Sequence, residues 1–171
     1  MGRSEQGVAA SRGRWHVVPR TLSFVTCDGD VLLLKGAPDK RIWPSKYNGV
    51  GGHVERDEDI LQAARREIRE ETGLEVRDLR LRGVVNVDAG DAQTGIVLFV
   101  FTARATTRQT VESSEGSLEW HPQDRLPHED LVDDLATILP RALAMPDDAP
   151  PFFARYWYDA ADHLQIAVAE D

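Results

Sequence analysis

Glu67, Glu70 and Glu71 lie close together along one stretch of chain, with Arg66 immediately ahead of them. If that stretch is helical, successive residues turn by about 100°, so with Glu67 at zero Glu71 falls at about 40° and Glu70 at about 300°. The three carboxylates share one side. On the same wheel Ile60, Ala64 and Ile68 fall at about 20°, 60° and 100°, which puts Glu67 and Glu71 inside the apolar arc. Like charges four apart repel, an unpaired buried carboxylate is costly, and acids near a helix C-terminus meet the unfavourable end of its dipole. Two arrangements could supply positive charge: a solvated face on which Arg66 pairs with Glu70 at the four-residue spacing, or a hard divalent cation that takes several oxygen ligands. The first leaves Glu67 and Glu71 uncompensated, so the pattern points to metal binding.

The carrier of these acids is predicted as a helix over Glu58 to Thr72. Asp57 can cap its start, Ile60, Leu61, Ala64 and Ile68 recur at helical spacing, and Gly73 can end it in a left-handed turn. Ahead of it, Thr21 to Cys27 and Val31 to Leu34 are apolar and branched and flank Asp28-Gly29-Asp30, the composition of a tight hairpin. Gly36 to Gly52 has no period and reads as a long loop of the kind that serves a ligand. Beyond the helix, Leu79 to Asp88 and Gly95 to Arg104 read as strands joined by a polar turn around Gly90, with a short strand at Leu118 to Trp120. Leu131, Leu135, Ile138, Leu139 and Leu143 restore the helical period, giving a second helix from about His128 that bends near Pro140. Phe152 to Tyr158 and His163 to Val168 form a terminal hairpin. This order predicts a mixed α/β sandwich, one domain over residues 15–171, with residues 1–14 as a flexible arm.

Composition bounds the function. The 171 residues are 42% hydrophobic and 29% charged, the balance of a globular chain rather than a disordered one. Twenty Lys and Arg against 29 Asp and Glu give a net charge of -9, a field that argues against binding a nucleic acid polymer. The longest apolar run, Ile96 to Phe101, is far short of the roughly 20 residues of a membrane span, and the first residues lack a signal-peptide pattern. The single cysteine, Cys27, lies in an apolar run and reads as a buried thiol in a reducing, cytoplasmic setting.

Gly52, five residues, Glu58, seven residues and then Arg66-Glu67-Ile68-Arg69-Glu70-Glu71-Thr72-Gly73-Leu74 resembles the Nudix box at every defining position. The resemblance implies a Nudix-type α/β/α sandwich and a magnesium-dependent hydrolase of nucleoside diphosphates linked to another group, with manganese able to substitute. Arg56-Asp57 departs from the Pro-Gly pair common after the first glutamate, and His53 is the histidine best placed to meet phosphate or solvent. The carried-over metal ligands are Glu67, Glu70, Glu71, Glu115 and the carbonyl of Gly51. Glu67 or Glu115 is the implied base, while Arg66, whose guanidinium matches a carboxylate bidentately, orients a box glutamate.

From Thr21 to about Val168 the chain is similar to the MutT-like group that removes oxidised purine nucleoside triphosphates. In Lys46-Tyr47-Asn48-Gly49-Val50-Gly51-Gly52 the resemblance makes Asn48 a reader of the base edge, though Asn-Gly also suits a turn. Val111-Glu112-Ser113-Ser114-Glu115 is similar to the segment that brings a further glutamate to the metals. Leu131-Val132-Asp133-Asp134, expected to open the second helix, stands where the group has Trp-Pro-Asp-Asp, so Asp133 and Asp134 are implied purine contacts and Leu131 replaces a stacking tryptophan. Thr21 is expected at the pocket floor and Lys35 near its mouth. The expected partner is a small nucleotide, met by a monomer or homodimer. Hydrolysis of ADP-ribose, a dinucleoside polyphosphate or a pyrimidine nucleotide, and a non-enzymatic nucleotide sensor, remain open alternatives, the last disfavoured by the intact box.

Overall fold

The computed structural model describes residues 13–113 and 115–169. Most of the expected arm, residues 1–12, lies outside the described residues. The first strand, β1 (His16–Cys27), turns at Asp28 and Gly29, both at positive φ, into β2 (Asp30–Gly36), as the hairpin composition predicts. β1 begins five residues earlier than its apolar run because it pairs in parallel with a strand from the middle of the chain, β5 (Thr94–Ala105). The expected long loop after β2 holds one short strand, β3 (Tyr47–Asn48), before the helix α1 (Ile60–Thr72).

α1 starts later than expected. Its cap is Asp59, not Asp57: the Asp59 carboxylate accepts from the amides of Leu61 and Gln62, and the Gln62 side chain accepts from the Asp59 amide. Glu58 therefore lies outside the helix. The expected stop is observed, with Gly73 at φ 72° donating its amide to the Arg69 carbonyl.

β4 (Val76–Val87) pairs antiparallel with β5 and in parallel with β7 (Phe152–Tyr158), which closes the terminal hairpin with β8 (Leu164–Val168). β6 (Gly116–Pro122) lies along β2. The result is a curled mixed sheet, ordered β3-β2-β1-β5-β4-β7-β8 with β6 branching from β2.

Alternation along the strands divides the core between two faces. On one, Val25, Leu32, Val50 and Ala103 pack with Ile68 of α1; on the other, Leu22, Phe24, Val31 and Val100 pack with Leu135, Ile138 and Leu139 of the second helix, α2 (Leu135–Ala144). The expected helix from His128 divides: His128–Asp130 is one 3-10 turn, Leu131 bridges to Tyr47, and Asp134 is the residue at which α2 begins. Leu131 to Asp134 thus precede the helix rather than opening it, because the strand bridge holds Leu131 extended. Pro140 is accommodated within α2.

Candidate active site

A cleft of about 560 Å³ crosses one side of the sheet from the β2–β3 edge to the β7–β8 edge. Its floor includes Thr21, Leu22, Ile96 and Leu98; Glu71 and Glu115 stand at one part of its wall, and Asn48, Asp133 and Asp134 at others. Asn48, Thr21, Asp133, Asp134, Glu71, Glu115 and Gly51, drawn from five separate stretches of sequence, are therefore brought together.

The acidic end is built on α1 and on residues 50–53, which run beside β1 through the Ser23–Val50 and Arg20–His53 bridges. The chain approaches so closely here that a side chain on Gly51, at φ 156°, would overlap the Thr21 carbonyl. One on Gly52 would overlap the Glu67 carboxylate, so Gly52 is the bed on which Glu67 lies.

Arg66 is fully committed. Its Nε and Nη2 pair bidentately with Glu58 at 3.0 and 2.7 Å, its Nη1 donates to Glu67 at 2.9 Å and Glu70 at 3.0 Å, and its Nη2 also donates to the His53 carbonyl. A guanidinium has five N–H donors, and these five bonds use them all. Arg66 orients the box acids and holds none of its donors for substrate. Of the two sources of positive charge considered from the sequence, Arg66 is present: it pairs with Glu70 as expected and, contrary to the expectation that it leaves Glu67 uncompensated, reaches Glu67 as well.

Glu71 is left out of that network. Among the described residues it has the Gly51 amide as a donor at 3.2 Å and no ion pair. Burial, and then repulsion from Glu115 and Glu67, push its pKa up to about 7 against the opposing pull of the Gly51 amide and Lys40. Glu115, just ahead of β6 and in the same cleft wall, is held by Lys40 at 2.6 Å. Among the described residues no three acidic, histidine or cysteine side chains close into a ligand shell. The donor set nonetheless suits a hard divalent cation: carboxylate oxygens that repel one another, one of them half-buried without a counter-ion, beside a backbone held open by glycines.

The other end of the cleft is where Asp134 lies. Burial, reinforced by repulsion from Asp133 and opposed by the amides of Asp134 and Leu135, raises its pKa to about 6. Asn48 serves two purposes, since its Oδ1 accepts from the Gly49 amide at 2.8 Å while the residue lines the cleft. Thr21 is buried, with its hydroxyl 3.5 Å from the Gly52 amide.

Lys35 is not brought to the mouth. Strand residues alternate in direction, and with Leu34 and Gly36 lining the cleft Lys35 lies across the sheet, its ammonium 4.9 Å from the centroid of the Tyr47 ring. Neither Glu67 nor Glu70 lines the cleft: both are tied to Arg66 beside it, Glu70 exposed and Glu67 against Gly52. Leu131 is buried in the core and lines none of it. Sequence reasoning missed Arg20, Lys40, Arg41 and Lys46, which line the cleft and give basic character to part of a chain of charge -9. It also missed Trp43, and placed Tyr156 and Tyr158 in the sheet only, whereas both line the cleft. The signal was available for the loop residues: three basic side chains in the aperiodic stretch before the Asn-Gly turn.

A family model described as the NUDIX domain matches residues 18–142. The chain is similar to a Danio rerio protein named oxidized purine nucleoside triphosphate hydrolase, 35% identical over 107 residues that cover 63% of this chain and 67% of that one. A Mus musculus protein of the same name is 31% identical over 114 residues, 67% of this chain and 72% of that one. Among solved structures, the MutT protein of Bacillus halodurans aligns with a TM-score of 0.72 at 25% identity, covering 89% of this chain and 97% of that one.

Proposed function

The chain belongs to the NUDIX family of hydrolases, and we propose that within it the protein cleaves the diphosphate linkage of a purine nucleoside triphosphate, oxidised forms such as 8-oxo-dGTP included, to the monophosphate and pyrophosphate. The observation that carries this reading is the pairing, in one cleft, of the uncompensated Glu71 beside Glu115 with the hydrogen-bonding group formed by Asn48, Asp133 and Asp134. The first suits a cation bound to pyrophosphate, the second a base edge. The names carried by the Danio rerio and Mus musculus relatives support the same substrate class.

NUDIX hydrolases use divalent cations, and magnesium, with manganese as a substitute, is the proposed ion. Glu71, Glu115 and the Gly51 carbonyl from the cleft, with Glu67 and Glu70 from beside it, would hold it. When bound, it supplies charge neutralisation of the pyrophosphate and a water of lowered pKa. The chain's own residues do the rest. Arg66 keeps Glu67 and Glu70 in place, the glycine bed keeps Glu67 against the backbone, and Lys40, Arg41 and Lys46 offer positive charge to the phosphate oxygens. Glu67 or Glu115 takes the proton from the attacking water. At the base, an ionised carboxylate accepts from ring and amino N–H groups, and a protonated one also donates to a carbonyl; the raised pKa of Asp134 favours the second state.

The test is kcat/KM across 8-oxo-dGTP, dGTP, dATP, pyrimidine triphosphates, a dinucleoside polyphosphate and ADP-ribose, with magnesium present. A purine triphosphate should rank first and yield monophosphate plus pyrophosphate, and Asn48→Ala should narrow its lead. ADP-ribose or a pyrimidine nucleotide ranking first would overturn the substrate assignment.

A further inference from the structure

The open side of the cleft is formed by the loop between β2 and β3. Its base is closed by two backbone hydrogen bonds, the Gly36 amide donating to the Lys46 carbonyl at 3.0 Å and the Ser45 amide to the Gly36 carbonyl at 3.1 Å. At its end Trp43-Pro44-Ser45-Lys46 makes a β-turn, the Lys46 amide donating to the Trp43 carbonyl at 3.3 Å. Pro44 suits the second position of that turn, and Ser45 takes positive φ, 59°, at the third.

Trp43 is the unusual member. A residue before proline is driven towards extended backbone, and bulky side chains avoid positive φ, yet Trp43 has φ 53°. Unfavourable backbone of this kind persists where the surroundings hold it, and it concentrates at ligand clamps. The conformation leaves Ile42 54% and Trp43 50% exposed while both line the cleft. Half-exposed apolar side chains on a tethered loop, flanked by Lys40, Arg41 and Lys46, suit a ligand that is flat and apolar at one end and anionic at the other.

The other rings at the cleft are placed differently. Tyr156 is buried to 3% exposure in the core, and Tyr158 stands on the terminal hairpin at the opposite edge of the sheet, where Asp133 and Asp134 act on its phenol. Leu131 offers no ring and no surface to the cleft. We propose that Trp43 is the stacking wall for the nucleobase, so that the face of the base is met by the β2–β3 loop while its edge meets Asn48, Asp133 and Asp134. This rests on the nucleotide reading above and assigns one residue of that site.

The experiment measures equilibrium binding of a non-hydrolysable purine nucleoside triphosphate, with inorganic tripolyphosphate as the probe that lacks a base, to the parent, Trp43→Ala and Trp43→Phe. Loss of one base–aromatic stack should raise Kd for the nucleotide by about tenfold in Trp43→Ala. Tripolyphosphate binding should not change, Trp43→Phe should restore most of the affinity, and in turnover the loss should fall on KM rather than kcat. Nucleotide binding that is unchanged in Trp43→Ala, or an equal loss for tripolyphosphate, would overturn the stacking assignment alone. A parent that binds tripolyphosphate but gains nothing from the base would overturn the assignment together with the nucleotide reading.

Discussion

At the scale of single residues, the acids of α1 are not equivalent, and their differences come from what stands opposite each. Glu67 and Glu70 share Arg66, whereas Glu71 faces Glu115 and Glu67 with one amide and the pull of Lys40 to offset them. A Glu71→Gln substitution keeps shape and removes the charge, so it should lower kcat by about a hundredfold or more if Glu71 holds the cation at the reacting phosphate. Without magnesium and above about pH 7 the variant should unfold at a higher denaturant concentration than the parent, because the charge removed is one that burial opposes. Retention of most of the parent's kcat would show that the cluster does not serve the reaction. Arg66 has a different role, and its five hydrogen bonds to four partners make it a positioning residue for the acids around it.

Elements position these residues through their ends. α1 carries its acids in its last turns, so its start and stop decide how they meet Gly51 and Gly52. The start is held by the reciprocal Asp59–Gln62 capping box, two residues later than composition suggested, because Glu58 is drawn off to Arg66 and also accepts from the Glu55 amide. Asp59→Ala should therefore cost about 1 kcal/mol of stability in urea unfolding, while Asp57→Ala should cost almost nothing. Equal effects would mean that the cap assignment is wrong. The β2–β3 loop is positioned by the same logic: its base is pinned by backbone hydrogen bonds, and the Lys40–Glu115 pair ties its middle to the start of β6.

The whole molecule bears the cost of collecting acids in one cleft. Asp134 has a pKa near 6 when folded and should return to the ordinary aspartate range, about 4, when unfolded. A carboxylate whose pKa rises on folding lowers stability where it is ionised, so the penalty is absent below about pH 4, grows between pH 4 and 6, and is complete above that. Asp134→Asn should thus be more stable than the parent by on the order of 2 kcal/mol at pH 8, with most of the gain gone at pH 4.5. Urea unfolding at the two pH values checks this, and a pH-independent difference would remove Asp134 as its source. Among the described residues no helix is long and apolar enough to cross a membrane, which agrees with the short apolar runs of the sequence.

By itself the sequence determined the class of fold, the helix that carries Glu67, Glu70 and Glu71, and the terminal hairpin, because periodicity, turn residues and the glycine stop act over a few neighbouring positions. Local pattern also made Arg66 a partner for the acids. It could not place Lys35, since one residue of strand register sends a side chain to the other face, nor show that Leu131 is held against Tyr47, since that bridge joins distant segments. The length of β1 depended on parallel pairing with β5, the shift of the α1 cap on the pairing of Glu58 with Arg66, and the cleft's aromatic and basic lining on how the β2–β3 loop folds back on Gly36. Each of these is a contact that a local pattern does not fix, from eight residues apart for Glu58 and Arg66 to distant strands for β1 and β5, and only packing in three dimensions chooses among the partners that a local pattern allows.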